Sequence, residues 1–153
     1  MSMNTVPERL AALRAAMAAN GVAVYLIPVG DPHASEYLPC HYTSLTWFSG
    51  FHGENSNFVV TRTESALWAD GRYFVQAEKE IAGTEIKLQR MGEPGVPTVE
   101  EYCANALNEG EALGLCGLTA STALVNDLKK ALEKKCASIK TLNLEDELWT
   151  EGR

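Results

Sequence analysis

From Val22 to Ile27 the chain reads Val-Ala-Val-Tyr-Leu-Ile without a polar residue, and Pro28 closes the run. That length suits a strand, and the lack of polar alternation means that neither of its faces can be left to water. A strand covered on both faces needs a layer on each side. The preceding stretch supplies one. Thr5-Val6-Pro7-Glu8 reads as a helix start, with Thr as cap, Pro in the first turn and Glu three residues after the cap. Leu10, Leu13 and Met17 then form one apolar stripe, and Gly21 after Asn20 is a stop signal. A helix followed by a buried strand is the beginning of an α/β fold.

The rest of the chain keeps the alternation. Val29 to Gly53 is too irregular for a long element and is read as short helices and loops. Asn57 to Thr61 and Ser65 to Trp68, joined by Arg62-Thr63-Glu64, read as a hairpin. Arg72 to Ala82 is predicted to be a helix stopped by Gly83, with Phe74, Ala77 and Ile81 on one side, and Glu85 to Gln89 a strand. Met91-Gly92-Glu93-Pro94-Gly95-Val96-Pro97 is the strongest breaker and the best place for a crossover. Thr98-Val99-Glu100-Glu101 opens a helix to about Leu107, followed by a strand from Ala112 to Cys116. A helix from about Ser121 to Cys136 precedes a strand near Ser138 to Leu142. Asn143 then caps a short acidic helix ending near Trp149. The expectation is one α/β domain over 1–153, with a mixed, about six-stranded sheet flanked by helices. Trp149, a large aromatic close to the last residue, is expected to pack on something, such as a following domain.

Composition narrows the function. With 46% hydrophobic and 22% charged residues the 153-residue chain matches ordinary soluble globular proteins, and one core is expected. No apolar run approaches the roughly 18 residues of a membrane helix, and the first residues lack a secretory pattern, so the expected setting is the cytoplasm with no membrane partner. A net charge of −7 argues against nucleic acid. Lys129, Lys130, Lys134 and Lys135 recur at helical spacing and are read as a solvated helix face. Cys40, Cys103, Cys116 and Cys136 contain no C-x-x-C pair and are read as reduced thiols serving as small core residues.

Nothing in the residue pattern assembles a reaction. His33, His41 and His52 lie near Asp31, Glu36 and Cys40, but their spacing fits neither a helical ligand pair nor a compact metal loop, so surface or hydrogen-bonded histidines are expected. An Asp31, His33, Ser35 triad lacks a nucleophile elbow. Gly50-Phe51-His52-Gly53 is not a phosphate loop. Glu100-Glu101 and Glu145-Asp146-Glu147 are acids at helix starts, where the helix dipole favours them. One position stands apart. In Trp68-Ala69-Asp70-Gly71-Arg72, Asp70-Gly71 is a turn pair between strand and helix, and it delivers Arg72 at their junction. A guanidinium there can bind a carboxylate or peptide carbonyl through its planar fork of donors, or pair with a nearby acid.

Tyr25-Leu26-Ile27-Pro28, Asp31-Pro32-His33, Ser35-Glu36-Tyr37, Phe48-Ser49-Gly50-Phe51, Leu67 through Phe74, Met91-Gly92, Pro97-Thr98 and Asn143 through Trp149 occur together in order. In this the chain resembles the N-terminal domain of Xaa-Pro aminopeptidases, the aminopeptidase P family. The resemblance implies a creatinase/prolidase N-terminal domain-like, ribonuclease H-like fold and a non-catalytic role. It also implies that hydrolysis before proline belongs to a C-terminal pita-bread domain absent from this chain, where two divalent metal ions, commonly manganese, activate water. The chain stops at Gly152-Arg153, where such a family member would enter its linker, so an N-terminal fragment is expected.

The resemblance further implies partners: the chain's own catalytic domain, a homo-oligomer, and the peptide substrate. Arg72 matches the Arg of the family's Trp-x-Asp-Gly-Arg-Tyr motif and is the expected substrate-binding residue, with Asp31, His33 and Tyr37 as rim candidates and Ser35 and Glu36 beside them. No catalytic or metal-binding residue is expected in this chain. The chain departs from the family where Glu54 and Asn55 replace small residues after Gly53, and where Cys116 replaces a frequent Asp. Two other classes remain: a protein-interaction module of a catalytically inactive peptidase-like protein, and an independent enzyme.

Overall fold

A computed structural model describes residues 5–28, 44–52, 56–116, 122–144 and 148. Helix α1 (Val6–Ala19) starts as its sequence requires: Thr5 is extended, and its hydroxyl accepts the Glu8 N–H at 3.4 Å. It buries Leu10, Leu13 and Met17, and Gly21 turns the chain at φ +74°, a conformation that a Cβ disfavours. Strand β1 (Val24–Pro28) follows. Next among the described residues come α2 (Ser44–Ser49), the hairpin β2 (Asn57–Thr61) and β3 (Ser65–Ala69), and a 3-10 turn at Gly71–Tyr73 that leads into α3 (Phe74–Glu80). Then come β4 (Lys87–Arg90), α4 (Val99–Ala106), β5 (Ala112–Leu115), α5 (Thr122–Glu133) and β6 (Ser138–Thr141).

The six strands form one sheet in the order β4-β3-β2-β1-β5-β6. β2 is antiparallel to β1 and β3, while β3 is parallel to β4, β1 to β5 and β5 to β6, so every strand except β2 runs the same way. The mixed sheet is therefore as expected, and the crossover at 91–97 carries the chain from the β4 edge to the other half of the sheet. Pro28, Asn57, Trp68 and Gln89 occupy one row near the carboxyl ends of β1, β3 and β4.

The unbroken apolar run proves to be the centre of the sheet. Tyr25 and Ile27 point to one face, where they pack with Leu10, Leu13 and Met17 of α1, Leu45 and Phe48 of α2, and Ala77 of α3. Val24 and Leu26 point to the other, against Val99 and Cys103 of α4 and Leu128 and Leu132 of α5. Period-two alternation thus feeds two separate cores, one per helical layer.

Several boundaries and one thiol differ from expectation, and the single expected core is divided in two by the sheet. The helix predicted from Arg72 begins with a 3-10 turn and becomes α-helical only at Phe74, because Asp70 caps the turn by accepting the Arg72 N–H. It ends at Glu80, short of Ala82. The strand predicted over Glu85 to Gln89 occupies Lys87–Arg90, where it pairs with β3. Cys103 and Cys116 are core residues, but Cys136 is exposed at φ +51° in the turn after α5. Cys40 and Trp149 fall outside the described residues.

Candidate functional site

The junction that delivers Arg72 is built by β3. That strand is fully buried, and Trp68 near its end is fixed on the α4 side, where its Nε1–H donates to Pro97 O at 3.0 Å and its ring meets Tyr102 edge-on at 5.0 Å. The chain leaves the sheet at Ala69 beside Arg90 of β4. Asp70 then does two things. Its Oδ1 accepts the Arg72 N–H at 3.0 Å, closing the turn, and its Oδ2 lies 3.1 Å from Arg72 Nη2. The backbone and side chain of Arg72 are held by one carboxylate.

An aromatic support lies beneath. The Arg72 guanidinium carbon is 5.4 Å from the centre of the Tyr73 ring, a cation–π arrangement, and Tyr73 meets the fully buried Phe51 edge-on at 6.1 Å. The Arg72 side chain is nevertheless 71% exposed. A fixed charge on a stacked, hydrogen-bonded stem, presented to solvent, can orient a carbonyl or carboxylate without exchanging protons. The acid-pair reading of Arg72 is thus realised through Asp70, a pairing compatible with ligand binding because the group stays exposed.

Close by, Arg90 stacks over Phe74 at 5.3 Å and pairs with Glu78. His52, next to Phe51, is an exposed histidine whose Nδ1 bonds Glu80 Oε2, while its backbone N–H donates to Glu80 Oε1 at 3.2 Å. Burial works to raise the Glu80 pKa, but hydrogen bonds from Gln76 and His52 outweigh it and hold the carboxyl below its ordinary value. His52 is the hydrogen-bonded surface residue that its sequence context suggests. Asp31, His33, Ser35, Glu36, Tyr37 and His41 lie outside the described residues. Among the described residues no group of three His, Cys, Asp or Glu could hold a metal ion.

Residue patterns alone did not reveal the Phe51–Tyr73–Arg72 stack, since the aromatic partners are distant in sequence. Nor did they reveal Ser56, whose buried hydroxyl just before β2 has no hydrogen-bond partner among the described residues. Phe51 was visible only as part of the Phe48-Ser49-Gly50-Phe51 motif.

The family model of the Creatinase/Prolidase N-terminal domain matches residues 9–148. Aminopeptidase P2 of Arabidopsis thaliana is 38% identical over 153 residues, which cover 97% of this chain and 21% of that protein. A probable Xaa-Pro aminopeptidase P of Sordaria macrospora is 37% identical, the match covering 100% of this chain and 25% of that protein. The crystal structure of X-prolyl aminopeptidase from Caenorhabditis elegans, described as a cytosolic enzyme with a di-nuclear active site, aligns with a TM-score of 0.88 and 31% identity over 99% of this chain and 26% of its own. The N-terminal domain of the cytoplasmic peptidase PepQ from Mycobacterium tuberculosis aligns with a TM-score of 0.64 and 26% identity, covering 91% of this chain and 95% of its own. The chain spans about a fifth to a quarter of the curated relatives it matches.

Proposed function

The chain belongs to the creatinase/prolidase N-terminal domain family, and from that premise we propose that it is the non-catalytic N-terminal domain of a Xaa-Pro aminopeptidase. In this reading, removal of N-terminal residues before proline is the work of a following pita-bread domain with two divalent metal ions, manganese being the expected metal. The N-terminal domain contributes to the oligomer and shapes access for the peptide. The parent acts in the cytoplasm, as the C. elegans relative is described to do.

The observation that carries the substrate role is the guanidinium of Arg72, exposed at the carboxyl edge of the sheet while Asp70 and Tyr73 restrain it. It is the substrate-binding residue, and Asp31, His33 and Tyr37 are proposed as its rim. A restrained cation loses less freedom on binding a peptide than a free one does, which favours orientation as its contribution.

The reading is tested by assaying this chain and its full-length parent side by side with manganese and an Xaa-Pro peptide. Turnover by the parent alone is expected. Turnover by this chain above background would overturn the non-catalytic assignment. Lack of the metal-binding Asp, His and Glu set in the parent's downstream sequence would favour the interaction module instead.

A further inference from the structure

Two separate segments build the aromatic support of Arg72, and one carboxylate ties them together. Phe51 arrives from the loop after α2 and Tyr73 from the turn before α3, yet their rings meet edge-on at 6.1 Å. Toward α2 the Phe51 segment is fixed by Ser49: the Phe51 N–H donates to Ser49 Oγ at 3.1 Å, and the Ser49 hydroxyl donates to Leu45 O at 2.5 Å. Toward α3 the tie is Glu80. Its Oε1 accepts the His52 backbone N–H at 3.2 Å and the Gln76 amide at 2.7 Å, while its Oε2 bonds His52 Nδ1. Among the described residues, both hydrogen bonds that join 51–52 to α3 end on this carboxylate. The grip repeats the one by which Asp70 holds Arg72, taking backbone and side chain of one residue at once.

We propose that Glu80 is a positioning residue for the Arg72 guanidinium, holding the 51–52 segment against α3 so that Phe51 keeps Tyr73 beneath the cation. The inference rests on the peptide-binding role given to Arg72 above. Glu80 closes α3 about 10 Å along the helix from Tyr73, so its influence passes through the segment and the rings, without contact with the cation. The Phe51 side chain has no hydrogen-bonding group, and its ring goes where its backbone is carried. A displaced Phe51 leaves Tyr73 without its edge contact, and the Tyr73 ring is what the guanidinium stacks on at 5.4 Å.

A surface ion pair accounts only for the contact with the His52 ring, which is 67% exposed. The other two bonds set Glu80 apart from such a pair. Gln76 holds the carboxylate in place, and the carboxylate in turn reaches the main chain next to Phe51. What Glu80 supplies is therefore geometry more than charge. Glutamine has the same reach: its carbonyl oxygen can accept the His52 N–H, and its amide can donate to Nδ1 of a neutral imidazole.

A double-mutant cycle in the full-length parent tests this, read by steady-state kinetics on an Xaa-Pro peptide. Glu80→Ala is expected to lower kcat/KM about three- to tenfold with metal content unchanged, and Glu80→Gln to recover most of that loss. In an Arg72→Ala background, Glu80→Ala should have no further effect, because the guanidinium through which it acts is gone. Damage of a merely structural kind would lower activity by the same factor in both backgrounds, and that result overturns the proposal. A Glu80→Gln enzyme as impaired as Glu80→Ala overturns it too, by showing that charge and not geometry matters. Where Glu80→Ala does not fold, His52→Ala takes its place in the cycle; it removes the ring contact and leaves the backbone bond, and the same non-additivity is expected, with additivity overturning the proposal. An impaired Arg72→Ala beside an unaffected Glu80→Ala overturns this inference alone, whereas unaltered kinetics in Arg72→Ala overturns the reading beneath it as well.

Discussion

Asp70 grips Arg72 at both ends of the residue, accepting its backbone N–H through Oδ1 and pairing with Nη2 through Oδ2. One carboxylate thereby shapes the turn and aims the cation. An exposed pair of this kind adds little to stability, about 0–1 kcal/mol, so its value lies in orientation.

Substitution of Arg72 should separate binding from chemistry. In the full-length parent, Arg72→Ala is expected to lower kcat/KM for an Xaa-Pro peptide about ten- to hundredfold, or about 1.4–2.8 kcal/mol, with metal content unchanged. Asp70→Asn keeps an acceptor for the turn but loses the charge pair, and should give a smaller loss in the same direction. Steady-state kinetics with metal analysis decides this; unaltered kinetics in Arg72→Ala would remove its assigned role.

The central strand predicts a second effect. The Tyr25 hydroxyl, buried in the sheet, donates to Leu142 O at 3.1 Å and accepts the Leu144 N–H at 3.3 Å, tying the segment after β6 to the central strand β1. Tyr25→Phe should cost about 1–3 kcal/mol, since both backbone groups lose a partner. Gly114 pairs with Tyr25 across β1 and β5, and a Cβ there would lie 3.0 Å from Tyr25 Cδ2. Gly114→Ala is expected to destabilise by about 1–3 kcal/mol through overpacking. Urea midpoints of the two variants measure both effects.

Acid should loosen the hairpin turn. Hydrogen bonds from Arg14 hold the Glu85 carboxyl below its ordinary value, and those from Lys87 and Tyr102 do the same for Glu64. A folded-state value below the unfolded one contributes stability that is present above pH 4.5, the ordinary glutamate value, and lost as pH falls through the depressed value. Urea midpoints should therefore drop as pH falls below 4.5, and Glu85→Gln should be less stable at pH 7 with a shallower acid slope. A slope identical to wild type would show that Glu85 does not carry it.

Thiol reactivity should divide by burial. Burial pushes the Cys103 pKa well up, leaving it as an unreactive thiol, and Cys116 is also buried, whereas Cys136 is exposed. Brief alkylation of the native protein followed by peptide mapping should label Cys136 and spare Cys103 and Cys116 until denaturant is added. Early labelling of Cys103 would contradict the closed α4 layer.

Much of this architecture is legible in local sequence, and for a local reason. Thr5 and Thr98 are visible as caps because the group each one satisfies lies three residues away. The Val22 to Ile27 run announces a strand covered on both faces because alternation is a property of the strand itself. The hairpin, the breaker at 91–97 and the turn at Asp70-Gly71 are readable on the same basis. Even the misplaced start of α3 is a two-residue error, caused by the Asp70 side chain favouring a 3-10 turn over the α-helix that apolar spacing suggests.

The tertiary structure decided what local chemistry does not encode. Strand order, the placement of β1 at the sheet centre, and the stacking of Phe51 beneath Tyr73 and Arg72 all depend on residues brought together across long stretches of chain. Periodicity and capping act over one or two turns, and they fix which elements form. Which elements meet depends on where two cores can be closed at once, a property of the whole chain.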